Sequence, residues 1–197
     1  MIITYHGATT FKITQGDLTI AINPQTKGGP RFGSDVVFVT TNHDDMNGVD
    51  AVTRGDKVPF AITGPGEYEV RGVTAQGFGT ASDYKGTTLN TVYLATIEDI
   101  KVCFLGTLKG TDLPNEMFER MDDLGILFVP INGDPRGAAK LVVKCEPRLV
   151  IPMHYSDADL KTFLKEAGAE GTKAVDKLTL KAKDLTGEGE VAVLKAV

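Results

Sequence analysis

Tryptophan is absent from this 197-residue chain, histidine occurs three times and cysteine only twice. Two thiols, Cys103 and Cys145, cannot make the disulfide framework that holds small secreted domains together. Cys103 sits in an apolar strand-like run and Cys145 near the end of a predicted helix, so both read as free, buried thiols rather than as a disulfide or a metal pair. No run of lysine and arginine occurs, and the formal net charge of −5 argues against nucleic-acid binding. No apolar stretch reaches membrane-spanning length. The start, MIITYHGATTF, has neither the basic beginning nor the apolar segment of a signal peptide. The expectation is a cytoplasmic location with no nucleic-acid and no membrane partner. Phosphate loops, dinucleotide fingerprints and G-X-S-X-G nucleophile elbows are also missing. Gly28-Gly29-Pro30 and Gly77-Phe78-Gly79 read as turns rather than phosphate cradles.

What is present is enough for one core. Hydrophobic residues make up 42% of the chain and charged residues 24%, the balance of an ordinary globular domain, so a single domain over 1–197 is expected. Leu18, Ile20 and Ile22 alternate with Thr19, Ala21 and Asn23, the period of a half-buried strand. Val36–Val39, Val102–Leu105, Ile126–Val129 and Leu149–Ile151 are continuous apolar runs, as in strands covered on both faces. Weaker strands are read at 1–5, 10–15, 58–63, 67–78, 90–97, 177–181 and 190–195. Pro114 is placed as the first residue of a helix over 114–123. Asp134-Pro135 opens a second helix, with Ala138, Leu141, Val142 and Cys145 on its apolar side, which stops before Pro147. Ser156 caps a third, whose buried stripe is Leu160, Phe163, Leu164 and Ala167 and whose stop is Gly168. A short helix is placed after Asp45. Gly64-Pro65-Gly66-Glu67 has the chemistry of a type II turn. Strands first, then strands alternating with helices, fit two packed, mainly antiparallel sheets with helices outside.

The three histidines are His6, His43 and His154, each beside a strand-like run. Rigid strands position the loops that follow them, so ligands and catalytic groups collect at strand ends. In Thr40-Thr41-Asn42-His43-Asp44-Asp45, a His-X-Asp unit supplies one nitrogen and one oxygen to a metal. On the residues alone, the same unit reads more readily as a surface turn whose aspartates bond local backbone. His154, in Ile151-Pro152-Met153-His154-Tyr155, is read either as a ligand or as a hydrogen-bonded structural residue. Tyr68 and Tyr155 stand either beside a pocket or in the core.

Taken in order, Ile22-Asn23-Pro24, the loop after Val39, Gly64-Pro65-Gly66-Glu67-Tyr68-Glu69-Val70, Phe104-Leu105-Gly106, Glu146-Pro147-Arg148 and Ile151-Pro152-Met153-His154-Tyr155 resemble the metallo-β-lactamase superfamily. Within it they are most similar to the short bacterial Zn-dependent hydrolases related to ascorbate-6-phosphate lactonases. The resemblance implies an α/β (α+β) fold, the four-layer αββα sandwich, with two metal ions at one edge. In active members the loop after the first apolar run reads Thr-His-X-His-X-Asp-His; here it reads Thr40-Thr41-Asn42-His43-Asp44-Asp45-Met46. By alignment, Ser82 stands where a further metal histidine is expected and Thr107 where the bridging aspartate is expected. Gly7-Ala8-Thr9 replaces Gly-His-Ser, and Ile22-Asn23-Pro24 replaces Ile-Asp-Pro.

On that pattern His43 belongs to one metal half-site, Asp45 and His154 belong to the other, and Thr41, Met46, Ser82 and Thr107 are lost-ligand positions lining the pocket. A catalytic zinc keeps three protein ligands and a water, and a two-metal mechanism clamps its nucleophile between ions roughly 3.5–4 Å apart. Hydroxyls and a thioether replace those ligands poorly. The resulting expectation is a largely dismantled metal site with no cofactor. Its protein acts by binding a small molecule in the vestigial pocket or by assembling as a homo-oligomer. The alternative is a metal-dependent hydrolase with one rearranged Zn or Mn ion held by His43, Asp45 and His154, with Asp44 or Asp83 adding an oxygen.

Overall fold

The structure, a computed structural model, describes all residues from 1 to 197. Thirteen strands form two sheets. Strands β1 (Ile2–Tyr5), β2 (Phe11–Gln15), β3 (Leu18–Ile22), β4 (Val36–Phe38) and β5 (Phe60–Ile62) build the first. Strands β6 (Gly66–Val70), β7 (Val73–Ala81), β8 (Leu89–Ile97), β9 (Ile100–Phe104), β10 (Ile126–Pro130) and β11 (Leu149–Met153) build the second. Strand β12 (Leu178–Thr179) returns to the edge of the first sheet, and β13 (Glu190–Val191) to the edge of the second. The orders are β12-β1-β2-β3-β4-β5 and β13-β11-β10-β9-β8-β7-β6.

Antiparallel pairing predominates in the first sheet and accounts for half of the second. Each changes sense midway: β1, β2 and β3 are antiparallel while β3, β4 and β5 run parallel. Likewise β6 to β9 are antiparallel while β9, β10, β11 and β13 run parallel. The long connections decide this. Parallel neighbours need a crossover of a dozen or more residues, and the segments after β3, β4, β9, β10 and β11 supply them.

The apolar runs alternate between two cores. Val102, Phe104, Ile126, Phe128 and Ile151 face the first sheet, where they meet Ile13, Ile20, Ile22, Val36 and Phe38. Cys103, Leu105, Leu127, Val129 and Val150 face outward onto helices. Both thiols are buried and free, and burial pushes the Cys145 thiol up to about 12. Without tryptophan, phenylalanine and tyrosine fill the interior. A continuous aromatic seam runs Tyr5–Phe11–Phe128–Phe104–Phe38–Tyr93, with ring centroids 4.8–5.5 Å apart. Each such pair adds about 0.5–1.5 kcal/mol beyond the area it buries.

Helices α2 (Pro135–Cys145) and α3 (Asp157–Glu166) cover the second sheet. Asp134 caps α2 by accepting the Gly137 N–H at 2.9 Å. Glu146 ends it in the left-handed conformation (φ 46°), with its N–H on the Val142 carbonyl, and Pro147 follows. Ser156 and Asp159 form a reciprocal capping box on α3. The first helix, α1 (Asn115–Phe118), is a single turn with Pro114 outside it, shorter than the predicted 114–123. Beyond Phe118 the chain tightens into three-residue turns, Arg120 N–H to the Met117 carbonyl and Met121 N–H to the Phe118 carbonyl, and the Lys101 ammonium binds the carbonyls of Arg120 and Asp122. The outer face of the first sheet carries no α-helix; a 3₁₀ turn at Val49–Val52 and the preceding loop cover Val37 and Val39 there.

Two local readings change. The predicted strand 67–78 is a hairpin, because Arg71 (φ 51°) and Gly72 (φ 76°) reverse the chain in consecutive left-handed conformations. Gly66 has a φ of 148°, far from the roughly 80° of a type II turn. The bend is tied instead by the Tyr68 hydroxyl, which donates to the Gly64 carbonyl at 2.8 Å.

Candidate functional site

The directions of β4, β7, β9, β10 and β11 bring their C-terminal ends to one edge of the sandwich. There the loops carrying Thr41, Ser82, Thr107 and His154 meet. Asn23, at the end of β3, holds the first of them. Its amide oxygen accepts the Thr40 N–H at 2.8 Å, and its amide nitrogen donates to the Thr40 hydroxyl at 3.0 Å. The Thr40 carbonyl accepts the Thr91 N–H of β8 at 2.7 Å, which ties the two sheets together.

Behind this clamp, Thr41, Ser82 and Thr107 form one buried hydroxyl network. The Thr41 and Thr107 oxygens lie 2.6 Å apart, and those of Ser82 and Thr107 2.9 Å apart. The Thr41 hydroxyl donates to the Asn90 amide oxygen at 3.1 Å, and the Thr107 N–H reaches the same oxygen at 2.9 Å. The Asn90 amide nitrogen donates to the Thr80 hydroxyl and the Leu105 carbonyl. The Ser82, Thr107 and Thr41 hydroxyls and the Asn90 amide are thus all paired with one another. Full pairing is what makes a buried polar cluster tolerable.

In front of the network stands Tyr84. Its ring meets His43 edge-on at 5.3 Å between centroids and His154 at 5.4 Å. Its hydroxyl donates to Asp45 Oδ2 at 2.7 Å, and the Lys85 ammonium binds the same oxygen at 2.6 Å. These two donors, Lys85 first, hold the Asp45 carboxyl below its ordinary value. Burial, then the bond to Asp45, raises the Tyr84 phenol. His43 Nδ1 accepts the Asp45 N–H at 3.1 Å, so a neutral His43 carries its proton on Nε2 and offers no free lone pair. His154 takes a left-handed conformation (φ 51°), with its N–H on the Ala8 carbonyl at 2.8 Å. Burial and the Lys85 charge hold its imidazole below the usual value, with Asp159 and Asp45 opposing.

Beside Tyr84 and His154 opens a pocket of about 370 Å³. Lys85, Thr107, Asn132 and Asp134 supply its polar wall, and Leu105, Leu108, Val129 and Leu141 its apolar one.

The structure thus brings His43, Asp45 and His154 around the side chain of Tyr84, with Thr41, Ser82 and Thr107 in the adjoining network. Met46 is buried in the same turn, its N–H on the His43 carbonyl at 2.8 Å. Asp44 points to solvent, and exposed Asp83 faces Lys109 at 3.7 Å. No three His, Cys, Asp or Glu side chains are grouped so as to hold a metal ion. His6 stacks on Phe32 at 5.7 Å, and Tyr68 serves the Gly64 bend. Tyr155 packs beside Tyr5 and the helices. Sequence reasoning passed over Tyr84, Lys85 and Asn90. The turn-forming Asp83–Gly86 stretch marked a loop but not its inward ring, and Asn90 was hidden in a strand.

The chain matches the model of the beta-lactamase superfamily domain over residues 2–154. It is similar to a UPF0173 metal-dependent hydrolase of Thermococcus onnurineus, 26% identical, with 84% of this chain and 92% of that protein covered. Among solved structures it resembles a proposed Zn-dependent hydrolase of the metallo-beta-lactamase superfamily from Thermotoga maritima, with a TM-score of 0.79 and 28% identity over 98% of this chain and 97% of the other. A proposed metal-dependent hydrolase from Parabacteroides distasonis shares the fold at a TM-score of 0.68 and 18% identity, over 97% and 91% of the two chains. No helix is long and apolar enough to cross a membrane.

Proposed function

The chain belongs to the β-lactamase superfamily, and we propose that within it this protein has exchanged the two-metal site for a metal-free polar network and works by binding a small molecule in the adjoining pocket. The observation that carries this reading is the closed pairing of Thr41, Ser82 and Thr107 with Asn90. Hydroxyls that give their protons to one another, away from solvent, are not arranged as ligands. Ligands for two divalent ions would be imidazoles and carboxylates with free lone pairs. Among the expected ligand positions at this edge, only His43, Asp45 and His154 are imidazoles or carboxylates. Asp45 is already neutralised by an ammonium, and a phenol ring separates the two imidazoles. The residues present do not fit a pair of metals, so no hydrolytic step is derived through them. The pocket survives that loss because Leu105, Leu108, Val129, Asn132, Asp134 and Leu141 line it beside Thr107 and His154. Its mixed wall suits a ligand with one apolar face and several hydrogen-bonding groups.

A second reading is favoured by the gathering of His43, Asp45 and His154 around one side chain, and by the metal-dependent hydrolase name of the Thermococcus relative. It is a hydrolase with one rearranged Zn or Mn ion held by those three residues. Metal analysis of protein purified without affinity tag or chelator, with Zn²⁺ calorimetry near neutral pH, separates the two. The first expects no stoichiometric pair of ions and no zinc-stimulated turnover of ester, lactone, phosphodiester or lactam substrates. Two tightly bound ions, with turnover abolished by His43→Ala or His154→Ala, would reject it. One bound ion with the same mutational sensitivity establishes the second.

A further inference from the structure

The Asp83–Thr87 turn carries unusual backbone at this edge. Lys85 is left-handed (φ 45°, ψ 41°) and is followed by Gly86 at φ 86°. A non-glycine residue held there persists only when its surroundings fix it. The Thr87 hydroxyl and N–H both donate to the Tyr84 carbonyl, at 2.7 and 2.9 Å. The Tyr84 N–H reaches the Ser82 hydroxyl at 3.2 Å, joining the turn to the buried network. The result aims one phenol and one ammonium at a single oxygen of Asp45. The Lys85 nitrogen also lies 5.3 Å from the Tyr84 ring centroid.

We infer that Tyr84 and Lys85 together are the internal replacement for a divalent cation: the ring fills the space between His43 and His154, and the ammonium supplies the positive charge that Asp45 requires. The inference rests on the metal-free reading above and names what took the place of the metal. The charge balance agrees with it. Among the expected ligand positions the structure keeps one carboxylate, Asp45, and provides one ammonium; the position of the expected bridging carboxylate holds neutral Thr107. The hydroxyls at 41, 82 and 107 and the Tyr84–Lys85 turn therefore form one compensated arrangement.

The consequence is a latent single-ion site that removal of the turn's two side chains exposes. The variants are Tyr84→Ala with Lys85→Ala, Lys85→Gln alone, and the double variant carrying His154→Ala. Zn²⁺ calorimetry, the visible spectrum with Co²⁺, and melting with and without Zn²⁺ read the outcome, with circular dichroism checking folding. The folded double variant is expected to bind one Zn²⁺ about tenfold or more tightly than the wild type, a difference of about 1.4 kcal/mol per tenfold. Adding His154→Ala should remove the gain. Lys85→Gln, which leaves the ring in place, should gain less, about threefold by splitting that change evenly, and it carries the test if the double variant does not fold. A folded double variant, or otherwise a folded Lys85→Gln, with wild-type Zn²⁺ affinity would overturn the inference. If the wild type also binds no zinc, the metal-free reading stands without it. Tight binding of two ions by the wild type would overturn both.

Discussion

The hydroxyl oxygens of Thr41 and Thr107 lie 2.6 Å apart, though 66 residues separate them and they belong to different sheets. That bond closes the two layers over the edge where the loops meet. Both oxygens are held in register by a third residue, Asn90, which receives the Thr41 hydroxyl and the Thr107 N–H on one atom. The edge of this sandwich is thus cross-linked by neutral hydrogen bonds, and its stability should depend on them.

Asn90→Ala tests that dependence. It leaves the Thr107 N–H and the Leu105 carbonyl without their partner in a buried place. An unpaired buried group costs about 1–3 kcal/mol, so a loss of about 2–4 kcal/mol is expected. For a chain of this size that lowers the melting temperature by roughly 5–15 °C. Calorimetric melting within 2 °C, roughly, of the wild type would contradict the cross-link.

Gly106 shows how tightly the edge is built. Its φ is 63°, and a side chain there would run into the Asn90 amide oxygen and the Thr40 hydroxyl. Gly110 has a similar φ of 69° but open space around it. Gly110→Ala should therefore cost only the left-handed backbone penalty of about 1–2 kcal/mol. Gly106→Ala should cost clearly more in urea unfolding; equal costs would show that the contact yields without effect.

Asp35 governs an acid-sensitive part of the stability. Its buried carboxylate accepts the Thr19 N–H at 2.8 Å, pairs with Lys57 at 2.8 Å and faces Arg71 at 3.7 Å. Burial pushes the carboxyl up, but the Lys57 and Thr19 bonds and the two positive charges outweigh it and hold the group below its ordinary value. The unfolded chain then binds the proton more readily than the folded one. The contribution is complete above the unfolded value of about 3.9 and is lost as pH falls toward the folded value. The stability difference between wild type and Asp35→Asn, from urea titrations between about pH 2.5 and pH 6, should shrink on acidification. A gap that is constant or widens toward low pH would refute the pairing.

Cys103 and Cys145 should be silent in the native state. Both are buried, and burial raises both thiols, so little thiolate forms near neutral pH. A disulfide-based thiol reagent should label the protein only as urea unfolds it, along the same curve as the circular dichroism signal. Rapid labelling of either thiol without denaturant would show that the helical layer opens locally.

The sequence by itself determined the family, the order of the strands and the ends of α2 and α3. Each of these depends on short-range chemistry. The runs around Val37, Cys103, Leu127 and Val150 are apolar at every position because both faces are covered, and Asp134, Pro147, Ser156 and Gly168 punctuate their helices wherever the helices pack. Local pattern did not carry the point at which each sheet turns from antiparallel to parallel, because alternation is the same for either neighbour. It missed the hairpin at Arg71-Gly72, since reversal there leaves the alternation intact, and it overran α1, whose continuation tightens into three-residue turns at Arg120 and Met121. The residues Thr41, Ser82 and Thr107 could be named from their places in the chain. That they bond one another through Asn90, and that Tyr84 and Lys85 stand between His43, Asp45 and His154, only the tertiary structure decided. Those contacts join loops from opposite sheets, and they exist because the packing of two apolar faces brings the strand ends to a common edge.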